Sequence, residues 1–555
     1  MTALDYFVIV LFSILILVIG LSFSKTSGKD MKSFFAAGGA VPWWINGLSL
    51  FMGFVSAGTF VVWGSIAYSS GWVAVTIQWT MCLAGFMVGL LIAPKWHKTK
   101  SLTAAEYISN RFGLKVQKSY SYIYLSIMLF MTGVYIYAVS RILEVSTGIP
   151  LYWSIVLLGV IVIIYTSLGG LWAVVVTDTL QFVILTAAAI VVVPLSLDKI
   201  GGITQFINSV PTESFFNLSS QQYTWSFLIG FGLYNFFYLS GQWGFVQRYT
   251  SVATPGDAKK VGILFGILYL VSPVIWMLPP MIYRALNPEL TGLQDEGAYL
   301  LMCKEVLPAG MLGLMLISLV FATNSSVTGV LNISAGVITN DLYKSRFPHS
   351  SEKRLMFIAR SSTLIFGLLT VGIAALVPMM GGAKEVVLSM AALTGCPMYL
   401  PLIWSLFSRK QTGFTALFTT LLSLTITLFF KFLLPIINGY ALSRENEMML
   451  GVGVPVVILL MIEMVLRIKN KEETAYLSYL DLEAKKSHLA VASVIESAEE
   501  NKQGLKMIAI GILATGLIIG GLGAMADHGK IYVLGMASLL LLIGFKIYPK
   551  PFKIN

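Results

Sequence analysis

Apolar runs long enough to cross a bilayer follow one another along the whole chain, separated by loops that carry most of its charge. A helix rises 1.5 Å per residue, so roughly 20 apolar residues match a hydrocarbon core of about 30 Å. Fifteen such runs occur, at 4–24, 43–71, 75–95, 118–146, 151–168, 170–197, 223–248, 260–284, 308–341, 355–378, 386–407, 411–434, 447–467, 507–526 and 531–548. They predict an all-α polytopic membrane protein. Two runs are interrupted by small and polar residues where a plain helix would have none. The second, GLSLFMGFVSAGTFVVWGS, has Gly53, Ser56, Ala57 and Gly58 at its middle, and the seventh, FGLYNFFYLSGQWGFVQR, has Asn235, Ser240, Gly241 and Gln242. Broken helices in corresponding places of two halves point to a midplane binding site, because unwound backbone is tolerated at that depth only where protein or a cavity satisfies it. These two runs lie five helices apart and cross in opposite directions. A repeat of five inverts its copy, so two inverted halves are expected.

The ninth run is too long for the bilayer, on the order of 50 Å as a helix, and so must tilt or protrude. Ala322, Ser325 and Ser326 sit in its middle at i, i+3 and i+4, sharing one face. Two hydroxyls and a carbonyl form a hard-oxygen surface that suits a small hard cation, and sodium is the natural candidate. Serines in membrane helices also bond the preceding turn or glue neighbouring helices, so the cluster needs support from elsewhere in the chain.

Composition narrows the class. Of 555 residues 57% are hydrophobic and only 11% charged, against about 25% charged in a soluble globule. The net charge of +11 would suit nucleic acid, but the charges lie between the apolar runs. Alternating the loops puts about 29 of the 37 Lys and Arg on one side, which the positive-inside rule assigns to the cytoplasm. Asp5 precedes the first run while Lys25, Lys29 and Lys32 follow it, so that run is retained rather than cleaved, with the N-terminus outside and the C-terminus inside. Residues 468–506 form a charged, amphipathic helical link on the cytoplasmic side. The three cysteines and four histidines are scattered, which implies neither a disulfide framework nor a metal centre. Neither HExxH nor GxSxG is present, so an intramembrane enzyme is not expected.

Three motifs carry a family resemblance. The run YTSLGGLWAVVVTDTLQ from Tyr165 to Gln181, the set Ser325, Ser326, Leu331, Asn332, Asp341 and Tyr343, and the pair Gln247 and Arg248 together resemble the sodium/solute symporter family over about residues 1 to 470. The resemblance implies a five-plus-five inverted-repeat core of the leucine-transporter type. Its parts would be a leading helix and loop at 1–42, halves at 43–197 and 198–407, accessory helices at 408–467, the link at 468–506 and two last helices at 507–555. It also implies a sodium site made by the backbone carbonyls of Met52, Val55 and Ala322 with the hydroxyls of Ser325 and Ser326. Asp178 with Thr328 would hold a second ion in some relatives, but Gly329 lacks the other hydroxyl, so one sodium is preferred. An unpaired carboxylate at that depth would cost several kcal/mol, and Arg248 is its expected partner in a structural salt bridge.

By the same resemblance Asn235 and Tyr238 fall on the polar contact and inner aromatic gate of the sodium-galactose members, and Thr59 and Gln78 on further sugar contacts, with Trp79 a second possible platform. An aromatic face covers the apolar side of a sugar ring, while an amide both donates and accepts. Tyr269 replaces a lysine of the sugar transporters. Sialic-acid relatives carry an arginine near the position of Met131, whereas Arg141 lies about ten residues later, toward the outer end. The expected function is sodium-coupled import of a neutral sugar or polyol by alternating access, with no enzyme activity, in a bacterial inner membrane. Alternatives are a carboxylate symporter and, in another class, a sodium-gated channel or sensor. The implied partners are a small solute and the lipid bilayer, with no obligate protein partner.

Overall fold

The computed structural model describes residues 1–27, 41–101, 103–166, 171–439, 441–468, 476–481 and 496–548. It is 86% helix and has no strand among the described residues. Hydrocarbon offers no partner for a peptide group, so each crossing segment closes its own hydrogen bonds as a helix. Among the described residues, each of the fifteen expected runs falls on one helix or on consecutive helical segments. Among the described residues eleven helices are long and apolar enough to cross, and a bent pair, Trp43–Phe54 with Thr59–Ser70, makes a twelfth. Ala3–Ile16 and Leu151–Val160 are shorter apolar helices there. The seventh run is divided into Trp225–Gly241 and Trp243–Thr250.

Glycine permits a close helix contact in the core. The span Val73–Lys98 lies against Pro255–Leu286 through Gly85, Gly89, Gly262 and Gly266. A Cβ on Gly89 would lie 2.8 Å from the Ile263 nitrogen, so only glycine lets these backbones meet. The leading helix Ala3–Ser27 is pinned by its own acid. Buried Asp5 accepts the N–H groups of Gly310 at 2.8 Å and Gly313 at 3.0 Å, capping the start of helix Met311–Gly336. A carboxylate there meets orphan N–H groups and the positive end of the helix dipole. That helix continues as a π-helical stretch, Val337–Lys344, for 34 residues in all, and 82% of its most apolar window is buried inside the protein. The overlong ninth run is therefore a central helix.

Candidate functional site

The first broken span builds the site from backbone. Helix Trp43–Phe54 stops at Val55, which is extended at φ −93° and ψ 130°, and the chain resumes through a π-turn at Thr59–Trp63 with a bend of 60°. In an unbroken helix Ser56 N–H would reach the Met52 carbonyl and Thr59 N–H the Val55 carbonyl. Here Ser56 N–H donates to the Thr59 hydroxyl at 3.1 Å and Thr59 N–H to the Ser56 carbonyl at 2.9 Å. The Met52 carbonyl keeps only a shared bond from Val55 N–H at 3.2 Å. Both carbonyls are thereby released, wholly or in part, from the helical ladder.

A hydroxyl from the ninth run docks this break. Ala57 N–H donates to Thr323 Oγ1 at 2.7 Å, and Thr323 in turn donates to the Leu319 carbonyl at 2.9 Å. The contact brings the broken turn against the stretch that carries the expected ion face. Ser326 is buried and donates to the Ala322 carbonyl at 3.3 Å. The side chain of Ser325 lies outside the described residues, as do those of Asn332 and Asp341 and the turn at 167–170 in the longest motif. The described donors are uncharged oxygens, a set that fits a hard monovalent cation. Thr323 was not singled out from sequence. The signal was available, because a broken helix leaves N–H groups that need an acceptor.

Asp178 ties the two interrupted spans together. It is 0% exposed on helix Leu171–Ile200, accepts the Ser49 hydroxyl at 2.6 Å, and lies 3.7 Å from the Arg248 guanidinium. Arg248 also donates to Ser49 at 3.3 Å and to the Gly244 carbonyl at 3.0 Å. Ser49 precedes the first break, and Arg248 follows the second. Thr328 is buried on the central helix.

The second interruption is local. Gln242 alone is extended, at φ −65° and ψ 128°, and its own side-chain oxygen caps Phe245 N–H at 2.9 Å. Gly241 is pressed so closely on Tyr399 that a Cβ would lie 2.8 Å from that residue's Cβ.

Between the two broken spans lies a cavity. Thr59, Asn235 and Tyr238 line it with Trp63, Met131, Tyr135 and Tyr234, and no charged side chain is among its described walls. Asn235 donates to Thr80 at 3.1 Å, while its buried amide oxygen has no partner. Tyr238 stacks on Tyr234 at 5.5 Å and meets Phe54 edge-on at 5.5 Å, and Tyr135, which sequence reading did not single out, shares the cavity wall with it. Gln78 is not on the wall; its amide nitrogen turns back toward the Ala74 carbonyl at 3.5 Å. Trp79 donates instead to the Leu270 carbonyl at 3.0 Å, and Tyr269 packs among Phe51, Phe54 and Phe265. Arg141 is away from the cavity, paired with Glu144 and donating to the Leu293 carbonyl at 3.2 Å, while Met131 occupies the wall.

Another polar cluster went unread in sequence. Asp295 accepts the Ser65 hydroxyl at 2.7 Å and faces Lys384 at 3.8 Å, while Glu296 accepts Tyr137 O–H and Ala383 N–H, both at 2.9 Å. Burial pushes both carboxyls above the ordinary carboxylate range.

Similarity to known proteins identifies the family and the fold. The model of the family described as "Sodium:solute symporter family" matches residues 34–423. A sodium/glucose cotransporter of Vibrio parahaemolyticus is 26% identical over 469 residues, covering 78% of this chain and 85% of that protein. A sodium/myo-inositol cotransporter 2 of Oryctolagus cuniculus is 28% identical over 406 residues, 66% of this chain, and the match spans only 60% of its own length. Among solved structures, a Na+-coupled sialic acid symporter in a substrate-bound outward-open state superposes with a TM-score of 0.71 at 23% identity, covering 84% of this chain and 98% of that one. A nucleobase-cation-symport-1 family transporter gives a TM-score of 0.53 at 13% identity, covering 81% and 98%. The fold is the five-plus-five inverted-repeat transporter core, with a helix before it and further helices behind.

Proposed function

Because the chain belongs to the sodium:solute symporter family and is a membrane transporter rather than an enzyme, we propose that it imports a neutral sugar or polyol together with sodium. The observation that carries this reading is the uncharged cavity between the broken spans, where aromatic rings and an unpaired Asn235 oxygen converge. A buried acceptor without a donor favours a ligand that brings hydroxyl groups, and the rings of Tyr234 and Tyr238 offer apolar faces to a sugar ring. The sodium/glucose and sodium/myo-inositol relatives support the same class. A carboxylate is the second reading, favoured by the sialic acid symporter's fold. It lacks a cation on the cavity wall, since Arg141 is engaged with Glu144 elsewhere.

In this reading the carbonyls of Met52, Val55 and Ala322 and the hydroxyls of Ser325 and Ser326 hold the coupling sodium. Thr59, Asn235 and Tyr238 contact the solute, and Gln78 joins them only if its side chain turns. Asp178 with Arg248 braces the two broken spans, and one sodium is carried. A single charge crossing 100 mV contributes about 2.3 kcal/mol, roughly fiftyfold accumulation. The positive-inside asymmetry supports an N-terminus outside and a C-terminus in the cytoplasm of a bacterial inner membrane.

The test is uptake into proteoliposomes, with sugars, polyols, amino acids and carboxylates supplied in turn, for the native chain and for Ser325→Ala with Ser326→Ala. Sodium-driven uptake of a sugar or polyol by the native chain, lost in the double variant while the protein stays folded, is the expected result. Unchanged sodium activation in the variant removes the ion-site assignment, and uptake confined to carboxylates removes the substrate class.

A further inference from the structure

We propose that a second cavity, away from the transport site, binds a phosphate-bearing anion and through it fastens the charged link to the transporter core. This cavity measures about 280 Å³ and is lined by Lys95 and Lys98 at the end of the span Val73–Lys98, by Ser405 and Arg409 at the end of helix Cys396–Ser405, and by Tyr476 and Tyr479. The loop that Lys95 opens belongs to the Lys- and Arg-rich side, which the charge asymmetry assigns to the cytoplasm.

The charge balance of the walls points to an anion. Three cations converge there and no carboxylate lines the cavity among the described residues. Lys95 Nζ lies 4.1 Å from the centre of the Phe407 ring, a contact that still leaves N–H donors of the ammonium directed away from the ring. Glu463 reaches the rim through Ser408 at 2.8 Å, but Trp404 at 3.2 Å and Arg467 at 3.2 Å already share its carboxylate. Like charges gathered in a partly enclosed space repel, and an oxyanion with several acceptors relieves that repulsion. A phosphate group matches this donor set, since lysines serve it as point charges and Arg409 as a fork, with hydroxyls nearby. The volume leaves room for an organic remainder. Basic pockets between membrane helices on the cytoplasmic side are suited to lipid headgroups, and a soluble phosphate ester presents the same chemistry.

One wall belongs to the link. Tyr476 covers the buried Arg111 guanidinium, whose carbon lies 4.7 Å from the ring centre, and Tyr479 meets Tyr107 edge-on at 5.8 Å. Tyr107 is itself bonded to Ser405 at 2.8 Å. An anion in the cavity therefore touches the span ends and the link at once, and its binding slows the opening of residues 476–481.

The experiment compares purified full-length chain and Lys95→Gln with Lys98→Gln, using thermal unfolding and hydrogen exchange over 476–481. The probes are inorganic phosphate against chloride at matched ionic strength in detergent, and phosphatidylglycerol against phosphatidylcholine in nanodiscs. A rise in Tm and slower exchange with phosphate, lost in the variant, supports the site with a soluble ligand. The same response confined to phosphatidylglycerol supports it with a lipid ligand. No response to either probe, or an equal response in the variant, overturns the proposal. Arg409→Gln provides a second exposed position, and should the lysine variant misfold, retention of the full response in Arg409→Gln overturns it equally.

Discussion

The two interrupted spans start from the same kind of sequence and end as different devices. In the first, the bend is 60° and the break reaches out, since Ala57 N–H is satisfied by Thr323 from a helix more than 250 residues away along the chain. In the second, a single extended residue satisfies itself, with Gln242 capping Phe245 in the next turn. Small and polar residues thus announce an interruption without saying what it is for. What separates the two is where the freed groups find partners. A break that borrows its acceptor from another helix fixes the distance between the two elements and leaves carbonyls facing the junction. A break that caps itself only redirects the chain, and here it redirects Arg248 toward Asp178.

The largest effect is expected where the two devices are joined. Asp178→Asn removes the buried carboxylate that faces Arg248 and accepts Ser49, leaving a mostly buried guanidinium without its counter-charge. Losing one partner of a buried pair costs about 3–5 kcal/mol. Thermal unfolding in detergent should show a large fall in Tm, with sodium-driven uptake lost. A Tm unchanged from the native chain would mean that the interrupted spans are not held to each other through this acid.

Next comes the break that reaches out. Thr323→Val keeps the shape and removes the acceptor of Ala57 N–H, and an orphaned buried donor costs about 1–3 kcal/mol. The prediction is a moderate fall in Tm together with a clear rise in the sodium concentration needed for half-maximal uptake. Weakened stability with unaltered sodium activation would separate the docking bond from the ion site.

How much of this was legible follows from the range of each interaction. Fifteen helical runs and both interruptions could be read because length, hydropathy and small-residue clusters are local properties. Asn235, Tyr238 and Thr59 were reached through family resemblance, and they share a cavity wall. Gln78 was placed with them, but a side chain on a helix can turn to its own backbone, as this one does toward Ala74. Thr323, Tyr135 and the Ser65–Asp295–Lys384 cluster were missed because their partners are set by tertiary packing. Ser65 and Asp295 are 230 residues apart, and nothing near either one names the other.

The smallest effect belongs to the break that caps itself. Gln242→Ala deletes the oxygen that accepts Phe245 N–H, leaving the short helix Trp243–Thr250 to begin without its side-chain cap. Loss of a helix cap costs about 1 kcal/mol, so a small fall in Tm is expected. The backbone at Gln242 keeps its own bond to the Tyr238 carbonyl at 2.9 Å, so Arg248 should stay directed at Asp178. Half-maximal sodium for uptake should therefore match the native chain, in contrast with Thr323→Val. Equal losses of sodium activation in the two variants would make the interruptions equivalent, and the ion site would then have to draw on both spans.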